Sequence, residues 1–206
     1  MANLIGARIE RKEDKKFLTG KGRYTADINL ARQTHAYFVR SPHARAKITK
    51  VDISKASKAP GVVTILTGDD LAKDKIGGLI AGWKIVSQDG KDMKIPPHPA
   101  LTKDSVNFVG DHVAVVIAET LEQAKNAAEQ VNVSYKIQKA VVNTADATSS
   151  EAIHEGIDNN LCFDFLLGDK GKTDEAFSKA DKVVKLDLVN NRLIPNAMEP
   201  RAAIGD

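Results

Sequence analysis

The sequence predicts an α+β fold, and three features of the stretch Val106–Tyr135 carry that expectation. First, Val113–Ala118 is an unbroken apolar run in which Val113, Val115, Val116 and Ile117 are β-branched. So short and stiff a run suits a strand buried on both faces. Second, Thr120 stands at the N-cap of a helix, with Gln123 three residues later to complete a capping box for the orphan amides. Leu121, Ala124, Ala127, Ala128 and Val131 share one face of that helix. Because the face is mostly alanine, the helix axis can approach a sheet closely. Third, Val131, Val133 and Tyr135 alternate with polar residues, as in a strand with one face on a core. Gly110-Asp111 marks the turn that leads in.

The elements before this stretch are short. Residues 1–18 read as an N-terminal arm, polar apart from Leu4, Ile5, Ile9, Phe17 and Leu18. Thr19–Tyr24 is a glycine-punctuated loop. Its Gly20 and Gly22 fit neither GxxxxGK[ST] nor GxGxxG, so they read as turn residues with positive φ or close backbone approach. Ala36–Val39, Ala46–Val51 and Val62–Leu66 read as strands. Ser54–Ala59 is a helical turn stopped by Pro60-Gly61, since proline cannot continue a helix. Gly68-Asp69-Asp70 opens a brief helix reaching about Lys73. Asp74–Lys103 holds Gly77, Gly78, Gly82, Gly90, Pro96, Pro97, Pro99 and Trp83. It reads as a long loop with one hairpin near Asp89-Gly90.

After Tyr135 the pattern weakens. Residues 141–160 are poor in apolar residues and read as a linker. From Gly168 to Ala180 a helix is predicted, with Thr173 as N-cap and Asp174 and Glu175 favoured by the helix dipole. Lys182–Val189 and Glu199–Ile204 read as strands. One helix and two strands cannot bury a core unaided. The expectation is therefore a second domain that begins near residue 160 and is cut off at 206.

Composition narrows the function. The 206 residues are 42% hydrophobic and 28% charged, ordinary for a globular protein. A net charge of +3 with 5% aromatics, and basic residues mixed with acidic ones as in Glu10–Lys16, gives no basic stripe with stacking rings. Nucleic-acid binding is therefore not expected. Cys162 is the single cysteine. It cannot form an internal disulfide or a thiolate cluster within this chain, and between Leu161 and Phe163 it reads as a small buried hydrophobe. No apolar segment has signal-peptide or membrane-spanning length, so a cytoplasmic location is expected.

The search for chemistry returns little. His35, His43, His98, His112 and His154 show neither HxH nor HExxH spacing, and no GxSxG elbow is present. Of the adjacent Asp69 and Asp70, one is expected to cap a helix and the other to be solvated. No catalytic or metal-ligating residue is assigned.

Five segments in order carry a resemblance: Ile5–Ile28 (IGARIERKEDKKFLTGKGRYTADI), His35–Asp52 (HAYFVRSPHARAKITKVD), Ala59–Leu71 (APGVVTILTGDDL), Val106–Thr120 (VNFVGDHVAVVIAET) and Arg192–Ile204 (RLIPNAMEPRAAI). Together they resemble the large, molybdopterin-binding subunit of the molybdenum hydroxylases. That family comprises xanthine dehydrogenases, aldehyde oxidases and aerobic carbon monoxide dehydrogenases, and the last segment is most similar to the carbon-monoxide-dehydrogenase-like branch. The resemblance implies an α/β hammerhead domain at residues 19–140, followed after the linker by the truncated start of a molybdopterin-binding domain at residues 161–206.

It also implies a function. The full-length subunit would hold molybdenum through molybdopterin cytosine dinucleotide and oxidise a small carbon substrate, with water as oxygen source. Electrons would pass to an iron–sulfur subunit and an FAD subunit of the same complex. Carbon monoxide, an aldehyde, a purine and another heterocycle all stay open as substrates. No cofactor is expected on this fragment alone, which would be inactive without the rest of the subunit. Only Glu199 and Arg201, in MEPR, match a family motif near the cofactor domain; they read either as a buried ion pair or as lining of the cofactor chamber. The alternative is a non-enzymatic interaction module with the same hammerhead fold.

Overall fold

The computed structural model describes residues 5–191, 193–197 and 199–205. The chain divides into two compact units, Thr34–Val183 and a smaller one of Met1–Gln33 with Val184–Asp206.

Among the described residues of the larger unit, six strands form two antiparallel sheets. The strands are β1 (His35–Arg40), β2 (Ala46–Asp52), β3 (Val62–Thr67), β4 (Ser105–Val106), β5 (His112–Ala118) and β6 (Asn132–Ile137). One sheet has the order β1-β5-β3, the other β4-β2-β6. The apolar run lies at the centre of the first sheet, pairing antiparallel with β1 and β3.

Both faces of β5 are covered, as its composition demands. Ala114 and Val116 face helix α3 (Leu121–Ala128) and pack on Ala127 and Ala128, with Ala56 and Ile65 beside them. The opposite face divides in two. Val113 packs with Ala46 and Val106 of the second sheet, and Val115 packs with Leu101 and Leu71. Leu71 belongs to α2 (Gly68–Lys73). The alanine face of α3 lets its backbone come close to the sheet. The capping box forms as the sequence requires: the Gln123 amide donates to Thr120 Oγ1 at 3.2 Å, and the Thr120 amide donates to Gln123 Oε1 at 3.0 Å.

Several expectations need correction. Helix α4 (Lys170–Ser178) is capped by Asp169, whose carboxylate accepts from the Lys172 amide at 3.0 Å; Thr173 lies inside the helix. Asp169, in extended backbone immediately before Lys170 and four residues ahead of Thr173, reaches the first free amides, so the threonine is superseded. Residues 182–189 and 199–204 form no strand. A strand needs a neighbour to satisfy its amides and carbonyls, and β-propensity cannot supply one. The hairpin near Asp89-Gly90 shrinks to a single Val86–Asp92 bridge, with Gly90 at φ +78°.

Residues 141–160 pack within the larger unit instead of running free. Arg45 is buried and donates to the carbonyls of Lys139 at 3.1 Å and Ala152 at 3.2 Å. Asn160 donates to the Ala147 and Glu151 carbonyls, and its own oxygen accepts from the Ile153 amide at 2.8 Å. Ile157, within the same segment, is buried.

In the smaller unit, helix α1 (Asp14–Leu18) leads to the glycine loop. Gly20 has φ +69°, while a Cβ on Gly22 would meet Phe17 Cδ1 at 2.7 Å, so each glycine has its own reason. Phe17 stacks on Tyr24 at 5.6 Å.

Candidate functional site

Two hollows hold the residues of interest, one in each unit. In the larger unit, an open hollow of about 580 Å³ lies between α2, the proline-rich loop and residues 153–155. Gly68 makes its floor possible: a Cβ there would sit 2.6 Å from the Thr102 carbonyl. The two neighbouring aspartates separate into different jobs. Asp70 accepts from the Thr67 hydroxyl and amide, both at 2.8 Å, and these bonds hold its pKa below the ordinary aspartate value. Asp69 is exposed and pairs with Lys103 at 2.9 Å, which raises the lysine's pKa. They do not form an acid/base pair.

The histidines are dispersed. His112 stacks on Phe38 at 4.5 Å, and burial first, then the charge of Arg40, lowers its pKa. His43 meets Tyr135 edge-on at 4.9 Å, and His98 meets Phe108 at 6.0 Å. His98 and His154 both line the hollow. His35 lies in β1. Cys162 is only half-buried, and its carbonyl accepts from the Lys94 amide at 2.8 Å. Among the described residues, no three His, Cys, Asp or Glu side chains converge as a metal-ligand set.

Glu199 and Arg201 are both exposed, so the buried ion pair is not what this structure contains. They border a hollow of about 320 Å³ within the smaller unit, together with Tyr24, Asp27 and Pro200. Asp27 is engaged in capping, since its carboxylate accepts from the Tyr24 amide at 2.9 Å.

Sequence reasoning missed two charged residues that organise the larger unit. The buried Asp111 carboxylate accepts from the Asn107 and His112 amides, each at 3.1 Å, and its carbonyl accepts from the Ser41 amide at 2.8 Å. This ties the turn before β5 to the end of β1. Arg45 is the other. Gly110-Asp111 signalled the turn, but nothing local could mark Arg45, whose partners lie about a hundred residues away.

Comparison with known proteins fits this architecture. Residues 19–139 match the family profile for the aldehyde oxidase and xanthine dehydrogenase a/b hammerhead domain. The nicotine 6-hydroxylase large subunit of Paenarthrobacter nicotinovorans is 35% identical over 99% of this chain and 24% of its own length. The carbon monoxide dehydrogenase large chain of Afipia carboxidovorans is 31% identical over 95% of this chain and 24% of its own. The crystal structure of the Cu,Mo-CO dehydrogenase superposes with a TM-score of 0.66 at 29% identity, covering 86% of this chain and 23% of that one. The chain thus spans about a quarter of the length of the relatives it matches. With the profile covering more than half of its residues, the chain belongs to the aldehyde oxidase and xanthine dehydrogenase family and carries that family's α/β hammerhead domain.

Proposed function

We propose that this chain is the N-terminal part of the large subunit of a molybdenum-dependent hydroxylase or dehydrogenase. The observation that carries the reading is a 35% identical match along 99% of the chain to the large subunit of a hydroxylase. In this reading residues 19–140 are the hammerhead domain, and residues from about 161 begin the first molybdopterin-binding domain. The longer protein oxidises a small carbon substrate with water as oxygen source. It passes electrons to iron–sulfur and FAD subunits in the cytoplasm. Among the described residues, no helix is long and apolar enough to cross a membrane.

The residues described here do not fit a seat for molybdopterin cytosine dinucleotide. Among them no buried side-chain nitrogen or oxygen lacks a hydrogen-bond partner, so no group is held ready for a ligand. The hollow beside Glu199 and Arg201, about 320 Å³, is at the low end for a ligand pocket, and its three charged lining residues, Asp27, Glu199 and Arg201, are all exposed. The chain's share is accordingly structural. Its sheets and capped helix form the packed scaffold of the larger unit, and the reacting groups are assigned to the remainder of the large subunit.

Metal and pterin analysis of the purified longer polypeptide tests this reading. Molybdenum and pterin should copurify with it in comparable amounts. A well-folded preparation without molybdenum would overturn the reading and favour a non-enzymatic interaction module.

A further inference from the structure

We propose that Leu161–Leu167 is a docking seam, which receives an extended strand with alternating apolar residues from the downstream part of the same polypeptide. The inference rests on the functional reading above in one respect only: the polypeptide continues as a longer large subunit.

One edge of the seam is already held. The Lys94 amide donates to the Cys162 carbonyl at 2.8 Å, and the Gln88 amide donates to the Asp164 carbonyl at 2.9 Å. The Asp164 amide donates to Ser87 Oγ at 3.2 Å. The loop that turns at Asp89-Gly90 thus grips residues 162 and 164 from the same side. Backbone groups two residues apart that face one neighbour mark extended chain, where the residues between them face the opposite edge. Those residues are Phe163 and Phe165. Among the described residues, their amides and carbonyls have no hydrogen-bond partner. Such an edge is a template for a further strand.

The side chains match that edge. Leu161, Phe163, Phe165 and Leu167 fall at every second position and are 46%, 38%, 56% and 87% exposed. Cys162, between the first two, is half-buried. A single exposed leucine is ordinary, but four large apolar residues at period two beside an unpaired edge are not. An added strand answers both features, with main-chain bonds along the edge and side chains on the apolar face.

The burial pattern points to downstream chain as the occupant. From Phe163 to Val183 every residue is exposed, including all of α4 with its Ala176 and Phe177. A nine-residue helix needs packing to persist, so the seam opens a larger surface that lacks cover. A strand from a second copy would pair with the seam and leave α4 bare. The relatives are about four times as long as this chain, which is enough polypeptide to cover both.

Hydrogen exchange of the 206-residue chain and of the longer large subunit, each purified without other subunits, tests the seam. The Phe163 and Phe165 amides are the reporters, and β5 is the internal reference. In the 206-residue chain both amides should exchange near their intrinsic rates at every protein concentration. In the longer polypeptide they should slow by about a hundredfold or more. There Phe165→Asp should restore fast exchange at both amides with β5 unchanged, while Phe165→Leu, which keeps an apolar side chain, should leave them slow. Fast exchange in a molybdenum-bearing longer polypeptide overturns the seam and leaves the functional reading standing. Slow exchange in one without molybdenum supports the seam and overturns the functional reading. Slowing in the 206-residue chain that grows with concentration makes a second copy the occupant and overturns the proposal. So does slow exchange that survives Phe165→Asp.

Discussion

Gly61→Ala should cost the hammerhead domain about 2–3 kcal/mol, from two separable sources. Gly61 has φ +75°, where an L side chain pays about 1–2 kcal/mol for crowding its own backbone. A Cβ there would also fall closer than 3.0 Å to the Gln123 carboxamide, the N3 half of the capping box on α3. Gln123 must then withdraw, uncovering the Thr120 amide, and a lost cap costs about 1 kcal/mol. The two parts separate in a double-mutant cycle measured by urea denaturation. Gln123→Ala alone should cost about 1 kcal/mol. Gly61→Ala added to it should cost only the backbone strain, so the double variant is less destabilised than the sum by about 1 kcal/mol. Strict additivity would refute the claim that Gly61 is there to admit Gln123. A cost near zero for Gly61→Ala would refute the backbone argument too.

Other outcomes follow from the same structure. Val116 is fully buried between β5 and α3, so Val116→Ala should lose about 2 kcal/mol in denaturant melts through lost burial and the cavity left behind. Asp70 has a pKa lowered chiefly by the Thr67 hydroxyl, then by the Thr67 amide. Its contribution to stability is therefore present above the ordinary aspartate value and lost as pH falls through the lowered one. In an NMR titration of side-chain carboxyl signals, Thr67→Val should move the Asp70 midpoint upward toward the ordinary value; an unmoved midpoint would show that the hydroxyl does not set it.

Much of the fold is legible in the sequence because local rules and tertiary demands agree there. The short, β-branched run Val113–Ala118 suits a doubly buried strand, and β5 is one. The spacing of Thr120 and Gln123 is that of the two halves of a capping box, and the box forms. Pro60-Gly61 stops the turn at Ala56–Lys58, and Gly68–Lys73 is helical as expected. Where the reading failed, the missing information was long-range. Lys182–Val189 has the propensity of a strand but finds no partner edge. Thr173 is a suitable cap, but Asp169 reaches the free amides first. The few apolar residues of 141–160 give no period from which their contacts could be read. Arg45 and Asn160 hold them by hydrogen bonds to carbonyls, and every residue has a carbonyl, so no side-chain pattern announces such contacts.

The candidate site divides in the same way. Glu199 and Arg201 were picked out by motif alone, and the structure places both on the surface beside a small hollow. Asp111 and Arg45 carry the buried charge of the larger unit, and neither belongs to a motif. The sequence by itself determined the element types as far as about residue 137, apart from the hairpin near Asp89-Gly90, together with the capped helix, the doubly buried strand and the family, because each is written in residues close together or in order along the chain. Only the tertiary structure decided which sheet edge each strand meets, which aspartate pairs and which caps, and that a buried guanidinium clamps a distant loop. Those outcomes depend on which backbone groups are left without partners once the chain has closed on itself.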